Sequence, residues 1–589
     1  MGGKCGRKLA GFESGLIMKY RWSLPEAAQR APAAALAGAL GVSPLLGQCL
    51  VNRGISGPEQ AARFLRPRLK DLSDPLLLPN MAAAVQRLLR ARRRGEPMVI
   101  FGDYDADGVT STALLLETLR ALGWTVNYYL PHRMDEGYGL SRDGAEHCLQ
   151  KHPAPLLLAV DCGSTAADTI AWLGQKGTEV IVLDHHQVST PPPAAVALVN
   201  PRLGDPPGPE LCSAGLAFKL AHAIVKQLRE DGEEAAIKYD LRQHLDLVAL
   251  GTIADLVPLT GENRILASAG LERLTATRRP GLIALIAAAQ CPTPIGSYEA
   301  AFQLAPRLNA AGRLEDAEEA LRLLLAAGAA EAEPLARSLD ARNRQRQQIE
   351  RDMAGEVIAA IHARFNRERD FVIVEGRDSW HIGVVGIVAA RVVKRFYRPA
   401  IILGGDGAVW RGSGRSIEGF DLAAALRGCD GLLVRHGGHS MAAGVTAQPD
   451  QVEPFRARLN ELARLALRPE QLEPSIRLDA EVAGADLTLD SVEALAALAP
   501  SGQDNPPVQW MLRGATLRQA PQRMGRENQH VKLRLTDGQA GLEAVWWNAG
   551  QAPMPGGRFD LAFVPTVNEY QGRRSVQLRV LDWRPVEGR

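Results

Sequence analysis

Residues 98–108 read Met98-Val99-Ile100-Phe101-Gly102-Asp103-Tyr104-Asp105-Ala106-Asp107-Gly108, and this stretch decides the fold. Four apolar residues follow Pro97, three carboxylates alternate through a turn, and a helical pattern covers 109–122. A short apolar run of this kind is a strand buried on both faces, as in parallel sheets covered by helices. Two further runs repeat the arrangement. Residues 156–160 stop at Asp161, and residues 180–183 stop at Asp184. In open α/β sheets ligands bind beyond the carboxyl ends of the strands. Three strands that each end in aspartate therefore bring their carboxylates to one place.

Asp103, Asp105 and Asp107 stand on alternate residues and can all turn toward one hard cation, with Gly108 permitting the tight entry into the helix. A calcium EF-hand loop opens in the same way. Its twelfth position needs a bidentate acid, however, and here that position is Leu114; a strand rather than a helix precedes it. The EF-hand reading fails. Asp184-His185-His186 adds two imidazoles behind a strand-terminal aspartate. Carboxylates with an imidazole suit manganese better than magnesium alone. Five or more such anionic ligands stay ionised only if cations offset their repulsion, which implies two metals. Two-metal sites generate a hydroxide nucleophile and steady both oxygens of an in-line phosphoryl displacement.

The chain of 589 residues has room for three to four domains. Residues 26–95 read as helices, and a long helical pattern runs over 331–365. Its middle is polar, with Arg342, Arg344, Arg346 and Arg351, and a helix polar all round usually bridges domains. Residues 370–460 form a second α/β unit, with strands at 371–374 and 400–403. Beyond 475 the pattern is β. Val531, Leu533 and Leu535 alternate with Lys532 and Arg534, Asp537-Gly538 supplies a turn, and Val576, Leu578 and Val580 alternate with Gln577 and Arg579. Such short strands suggest a small barrel. The expected divisions are a disordered extension (1–23), a first α/β domain with a helical N-terminal part (24–330), a connecting helix (331–367), a second α/β domain (368–465) and a barrel (470–589).

Lys+Arg is 68 and Asp+Glu 66, a formal net charge of +2, which argues against a histone-like polyanion binder but not against local basic patches. Seven scattered cysteines without a C-x-x-C pair fit a reducing cytosol and no thiolate zinc site. No run of 18 apolar residues is present, so a soluble, cytoplasmic protein is expected. No Gly-x-x-x-x-Gly-Lys-Ser/Thr occurs, which argues against an ATP-driven motor. Glycine-rich basic stretches at 307–313, 380–381, 412–416 and 437–444 offer backbone N–H groups and arginine forks to phosphates.

The quartet of residues 103–108, Asp161-Cys162-Gly163, Asp184-His185-His186 and Gly437-Gly438-His439, in this order and spacing, resembles the DHH/DHHA1 phosphoesterase family. Within that family the chain is most similar to the bacterial single-strand-specific 5′→3′ DNA exonucleases. Local matches at 131–133, 251–259, 307–313, 379–391 and 412–416 extend the likeness from about residue 24 to the C-terminus. The resemblance implies an α/β protein: a DHH parallel-sheet domain and a smaller DHHA1 domain joined by a long helix, followed by an OB-fold β-barrel. It implies that Asp103, Asp105, Asp107, Asp161, His185 and Asp255 bind two divalent metal ions, Mn2+ or Mg2+. Asp105, Asp161, His185 and His186 would be catalytic, with His186 beside the scissile phosphate. Arg133, Ser413 and Arg415 would hold the DNA 5′-phosphate, assisted by Arg307 or Arg313, with His381 and His439 as further contacts.

One departure lies at 500–506 (Pro-Ser-Gly-Gln-Asp-Asn-Pro), which lacks the aromatic residue usual after that proline and so puts the local packing in question. In the barrel, Lys532, Arg534 and Arg579 beside Trp546 and Trp547 would track and stack single strands. The implied activity threads single-stranded DNA between the α/β units and releases 5′-mononucleotides, in recombination and repair. Single-strand-binding protein and an unwinding helicase are the implied partners of a monomer. Two other readings compete: a phosphodiesterase of short oligonucleotides or cyclic dinucleotides, whose members lack the barrel, and a non-catalytic single-strand-binding scaffold, in which the ligand set would have decayed.

Overall fold

The computed structural model describes residues 20–26, 29–132, 136–137, 139–205, 208–314, 316–405, 407–550 and 552–586. The chain falls into two compact units. One comprises residues 59–348 with 498–506; the other comprises the residues before 59, together with 349–497 and 507–589. The first strand, β1 (Arg21–Ser23), belongs to the latter.

In the unit of residues 59–348, β2 (Met98–Gly102), β3 (Val126–Tyr129), β4 (Leu156–Val160), β5 (Glu179–Leu183) and β6 (Ala197–Val199) form a parallel sheet in the order β3-β2-β4-β5-β6. Every residue of β2 and β4 is buried. Met98, Ile100, Leu156 and Leu158 enter one core, while Val99, Phe101, Leu157 and Ala159 enter the core on the opposite face. Side chains alternate across a strand, so a run covered on both sides must be apolar throughout. The strand order reverses between β2 and β4, and the crevice at such a switch point is where this architecture binds ligands.

The other unit contains a five-stranded sheet of β7 (Ile373–Asp378), β8 (Ala400–Gly405), β9 (Trp410–Arg415), β10 (Arg435–Gly438) and β11 (Ala442–Ala447), ordered β10-β11-β9-β8-β7, with β7 and β8 parallel and the other pairs antiparallel. It also contains a closed barrel. Strand Trp510–Leu517 pairs with both His530–Thr536 and Phe559–Tyr570, and Gly541–Trp546 closes the circuit by running parallel to Arg573–Pro585. Five strands with this connectivity make an OB-fold, in which closure removes exposed strand edges. Val531, Leu533, Leu535, Leu578 and Val580 are buried as their alternation predicts; Val576, near the hairpin tip, is half-buried.

The N-terminal boundaries need correction. β1 pairs in parallel with Ser475–Arg477, Tyr20 and Trp22 pack against a cluster containing Met511 and Ala562, and the Trp22 indole N–H donates to Asp582 at 2.9 Å. Residues 21–23 are therefore ordered; 1–19 lie outside the described residues. Residues 24–58, which the sequence joins to the catalytic domain, also belong to this unit: Asn52 and Arg53 bind Asp479. A helical period shows that a face is buried but does not say against what. The long helix spans Ala329–Arg364, and the division between units falls inside it. Two arginines of its polar middle are paired, Arg342 with Glu319 at 2.9 Å and Arg344 with Asp340 at 2.7 Å. Among the described residues no single helix is long and apolar enough to cross a membrane.

Candidate active site

The turn after β2 is set by Asp105. It caps helix Ala106–Ala121, its Oδ1 accepting from the N–H groups of Asp107 (2.9 Å) and Gly108 (3.2 Å). Asp107 is thereby directed at the start of helix Ser213–Glu230, where its two oxygens accept from the N–H groups of Ser213 (2.7 Å) and Ala214 (2.8 Å). A carboxylate at a helix N-terminus meets unsatisfied donors and the positive end of the dipole. The Ser213 hydroxyl donates to Asp161 Oδ1 at 2.8 Å. Asp161 itself has φ +65°, a strained conformation costing about 1–3 kcal/mol that persists only where the surroundings enforce it.

The six expected ligands converge. Carboxylate oxygens of Asp103, Asp105 and Asp161 lie within 4.8 Å of one another, and so do ligand atoms of Asp107, His185 and Asp255. His185 Nε2 links the two groups, at 3.4 Å from Asp161, 3.5 Å from Asp255 and 3.9 Å from Asp107. Among the described residues this buried nitrogen has no hydrogen-bond partner. A lone-pair donor facing three carboxylate oxygens at such distances fits a divalent cation, and the set of oxygens with one imidazole fits Mn2+ or Mg2+.

The electrostatics agree. Burial first, then the neighbouring aspartates, push the Asp161 and Asp255 carboxyls well above their usual range. Burial and Asp105 raise Asp107 to about 6. A cation bound among these carboxylates would offset the repulsion that raises them. Burial, helped by the charge on His186, lowers His185 to about 3, so at neutral pH its imidazole is neutral, as a metal ligand must be. For His186 burial acts downward, but the Asp184 carboxylate prevails and raises it to about 9. One histidine is a neutral donor facing inward. The other is a cation with a 40% exposed side chain.

Asp184 explains why adjacent histidines behave so differently. Its Oδ1 accepts from the His185 and His186 N–H groups (2.8 and 3.2 Å) and pairs with His186 Nδ1 (2.8 Å), while Oδ2 accepts from Ser164 N–H (3.0 Å). It thereby orients the His186 ring and fixes the backbone of both histidines. Sequence reasoning also passed over Asn309, whose Oδ1 accepts from Ala106 N–H at 2.7 Å, in the first turn after Asp105. Helix Ala305–Leu314 comes this close through Gly312, where a Cβ would sit 2.6 Å from the Tyr104 carbonyl oxygen. This accounts for the glycine at 312.

The expected phosphate-binding residues fare unequally. Arg133 lies outside the described residues. Arg307 is held by Asp340, with Nη2 at 2.8 Å, so its charge is met within the fold; Arg313 is half-buried on the same helix as Asn309. In the other unit, Ser413 and Arg415 share β9, and the Arg415 guanidinium donates to the Ser413 hydroxyl at 2.6 Å. Both lie beside Gly386 in the first turn of helix Val385–Phe396, and the loop before that helix carries His381. His439 sits in the turn between β10 and β11, the end where Ala442 pairs with Arg415. On the barrel, Arg534 and Arg579 are exposed and Trp546 is half-buried. Lys532, expected to be a DNA contact, is paired with Glu543 at 2.7 Å. Trp547 is 49% exposed, edge-on to His530 with centroids 4.7 Å apart.

Three family models match the chain: the DHH family, N-terminal domain, over 97–252; the DHHA1 domain over 369–465; and the RecJ OB domain over 478–582. The single-stranded-DNA-specific exonuclease RecJ of Bacillus subtilis (strain 168) is 37% identical over 575 residues, covering 96% of this chain and 71% of that protein. The chain belongs to the RecJ family. Among solved structures, RecJ from Thermus thermophilus in complex with Mn2+ superposes with a TM-score of 0.83 at 31% identity, covering 97% of this chain and 80% of that one. RecJ of the same organism in complex with Mg2+ gives 0.77 at 31% identity, over 97% and 79%. Membership of the RecJ family accounts for a DHH sheet, a DHHA1 sheet and an OB barrel occurring in one chain.

Proposed function

We propose that this chain is a divalent-metal-dependent exonuclease specific for single-stranded DNA, working from the 5′ end to 5′-mononucleotides in recombination and repair. The observation that carries the reading is the convergence of Asp103, Asp105, Asp107, Asp161, His185 and Asp255 at the carboxyl ends of β2, β4 and their neighbours, in a chain whose RecJ relatives are named single-stranded-DNA-specific exonucleases. Those six residues would hold two ions, Mn2+ or Mg2+. Bound there, the ions would lower the pKa of a water and steady the entering and leaving oxygens of a phosphodiester. His186, protonated and fixed by Asp184, would donate to a phosphate oxygen near the cluster. Ser413 and Arg415 would take a 5′-phosphate, with His381 and His439 of the same unit as further contacts; Arg133 and Arg313 are proposed as phosphate contacts of the catalytic unit, and Arg307 is assigned to holding Asp340.

The barrel face around Arg534, Arg579, Trp546 and Trp547 would bind single strands, with stacking worth about 1–3 kcal/mol per base. A cytoplasmic monomer working with single-strand-binding protein and a helicase completes the proposal. A phosphodiesterase of cyclic dinucleotides would share the metal cluster but has no use for the barrel. With Mn2+ present, the protein is expected to consume a single-stranded oligonucleotide of some tens of bases and leave a cyclic dinucleotide intact. Comparable turnover of the cyclic dinucleotide, measured by chromatography of the products, would overturn the reading.

A further inference from the structure

Asp255 is the ligand with the least regular support. It follows helix Leu245–Ala254, and the next residue, Leu256, has φ +61° and is largely exposed. A strained, exposed backbone beside a ligand must be held from elsewhere. Two buried devices hold it. Asn263, 4% exposed, donates through its Nδ2 to the carbonyls of Pro258 (3.0 Å) and Glu210 (2.7 Å). Pro258 lies three residues after Asp255, and Glu210 lies three residues before Ser213, which holds Asp107 and Asp161. One amide thus ties together the backbones that position three of the six ligands.

The second device is the segment 498–506. Leu259 N–H donates to the Gln503 carbonyl at 2.8 Å, and a Cβ on Gly502 would sit 2.6 Å from Leu259 Cδ1. The segment is itself fixed by Arg264, next to Asn263. Its guanidinium, 2% exposed and stacked 3.8 Å over Phe64, donates to the carbonyls of Leu498 (2.9 Å) and Ala499 (2.8 Å). Asn505 adds 2.8 Å bonds to the Leu498 and Pro500 carbonyls. The shape of this segment rests on these polar bonds.

We propose that Asn263 and the strap 498–506 are positioning elements for the Asp255 ligand, acting through the 255–259 loop without touching metal or substrate. The inference rests on the metal reading above. Its test is a Mn2+ titration of full-length protein by calorimetry, alongside melting curves in chelator. Asn263→Ala is expected to raise the Mn2+ dissociation constant by about 10–100-fold, the range for residues that orient metal ligands. Saturating Mn2+ should bring its single-strand degradation rate back toward wild type. Gly502→Val, which pushes Leu259 from the other side, should shift the Mn2+ requirement in the same direction; Gly502→Ala should do so more mildly.

Asn460→Ala, which removes comparable backbone contacts at Phe371 and Val372, should leave Mn2+ affinity unchanged. Wild-type Mn2+ affinity in both Asn263→Ala and Gly502→Val overturns the inference, whatever their melting temperatures. A wild-type protein that binds no Mn2+ overturns the metal reading and this inference with it.

Discussion

Asp105→Ala is expected to lower single-strand degradation by about 10³-fold while leaving a folded protein that still binds single strands. Asp105 does two things: it caps helix Ala106–Ala121 and offers a carboxylate to the group formed with Asp103 and Asp161. Losing the cap costs about 1 kcal/mol. Removing one of the charges that push the Asp107, Asp161 and Asp255 carboxyls upward offsets part of that cost. Asp105→Asn separates the two roles, because asparagine caps a helix as well as aspartate but carries no charge. It should melt at or above the wild-type temperature, because it keeps the cap and relieves the repulsion, and be nearly as inactive as Asp105→Ala. Substantial mononucleotide release by either variant would contradict the ligand assignment.

Deleting residues 470–589 should destabilise the catalytic unit as well as weaken DNA binding. The cut takes away the Leu498 and Ala499 carbonyls and leaves the buried Arg264 guanidinium without them. Each hydrogen bond to a charged group contributes about 1.5–3 kcal/mol, a large share of the roughly 5–15 kcal/mol that holds a domain folded. Calorimetry should show the truncated protein melting well below the full chain. Trp547→Ala with Arg534→Ala should instead reduce single-strand affinity and leave the melting temperature in place. A truncated chain that melts with the full-length catalytic transition would show that the strap is dispensable.

Much of the site was legible because its chemistry sits where the pattern changes. β2, β4 and β5 are recognisable as strands because both faces are buried, and the aspartate closing each run marks its carboxyl end. The hydrogen bonds around the ligands were not legible. Asn309 reaches Ala106, and Asn263 reaches Glu210 and Pro258, as single polar residues meeting backbone groups; no period in the sequence records such a pairing. Arg307 and Lys532 show the converse. Each reads as a free cation until folding brings in its acid, Asp340 from the long helix and Glu543 from the adjacent strand. The helices before residue 58 read correctly as helices, yet their partner surface is supplied by Asp479 and its neighbours, more than 400 residues away.

The central claim is tested most directly by digesting single strands labelled at the 5′ or the 3′ end, and the matching duplex, in Mn2+. The 5′ label should be released first and as a mononucleotide, the 3′ label should remain in a shortening strand, the duplex should survive, and a chelator should stop the reaction. Earlier release of the 3′ label, or duplex digested at the single-strand rate, would contradict it.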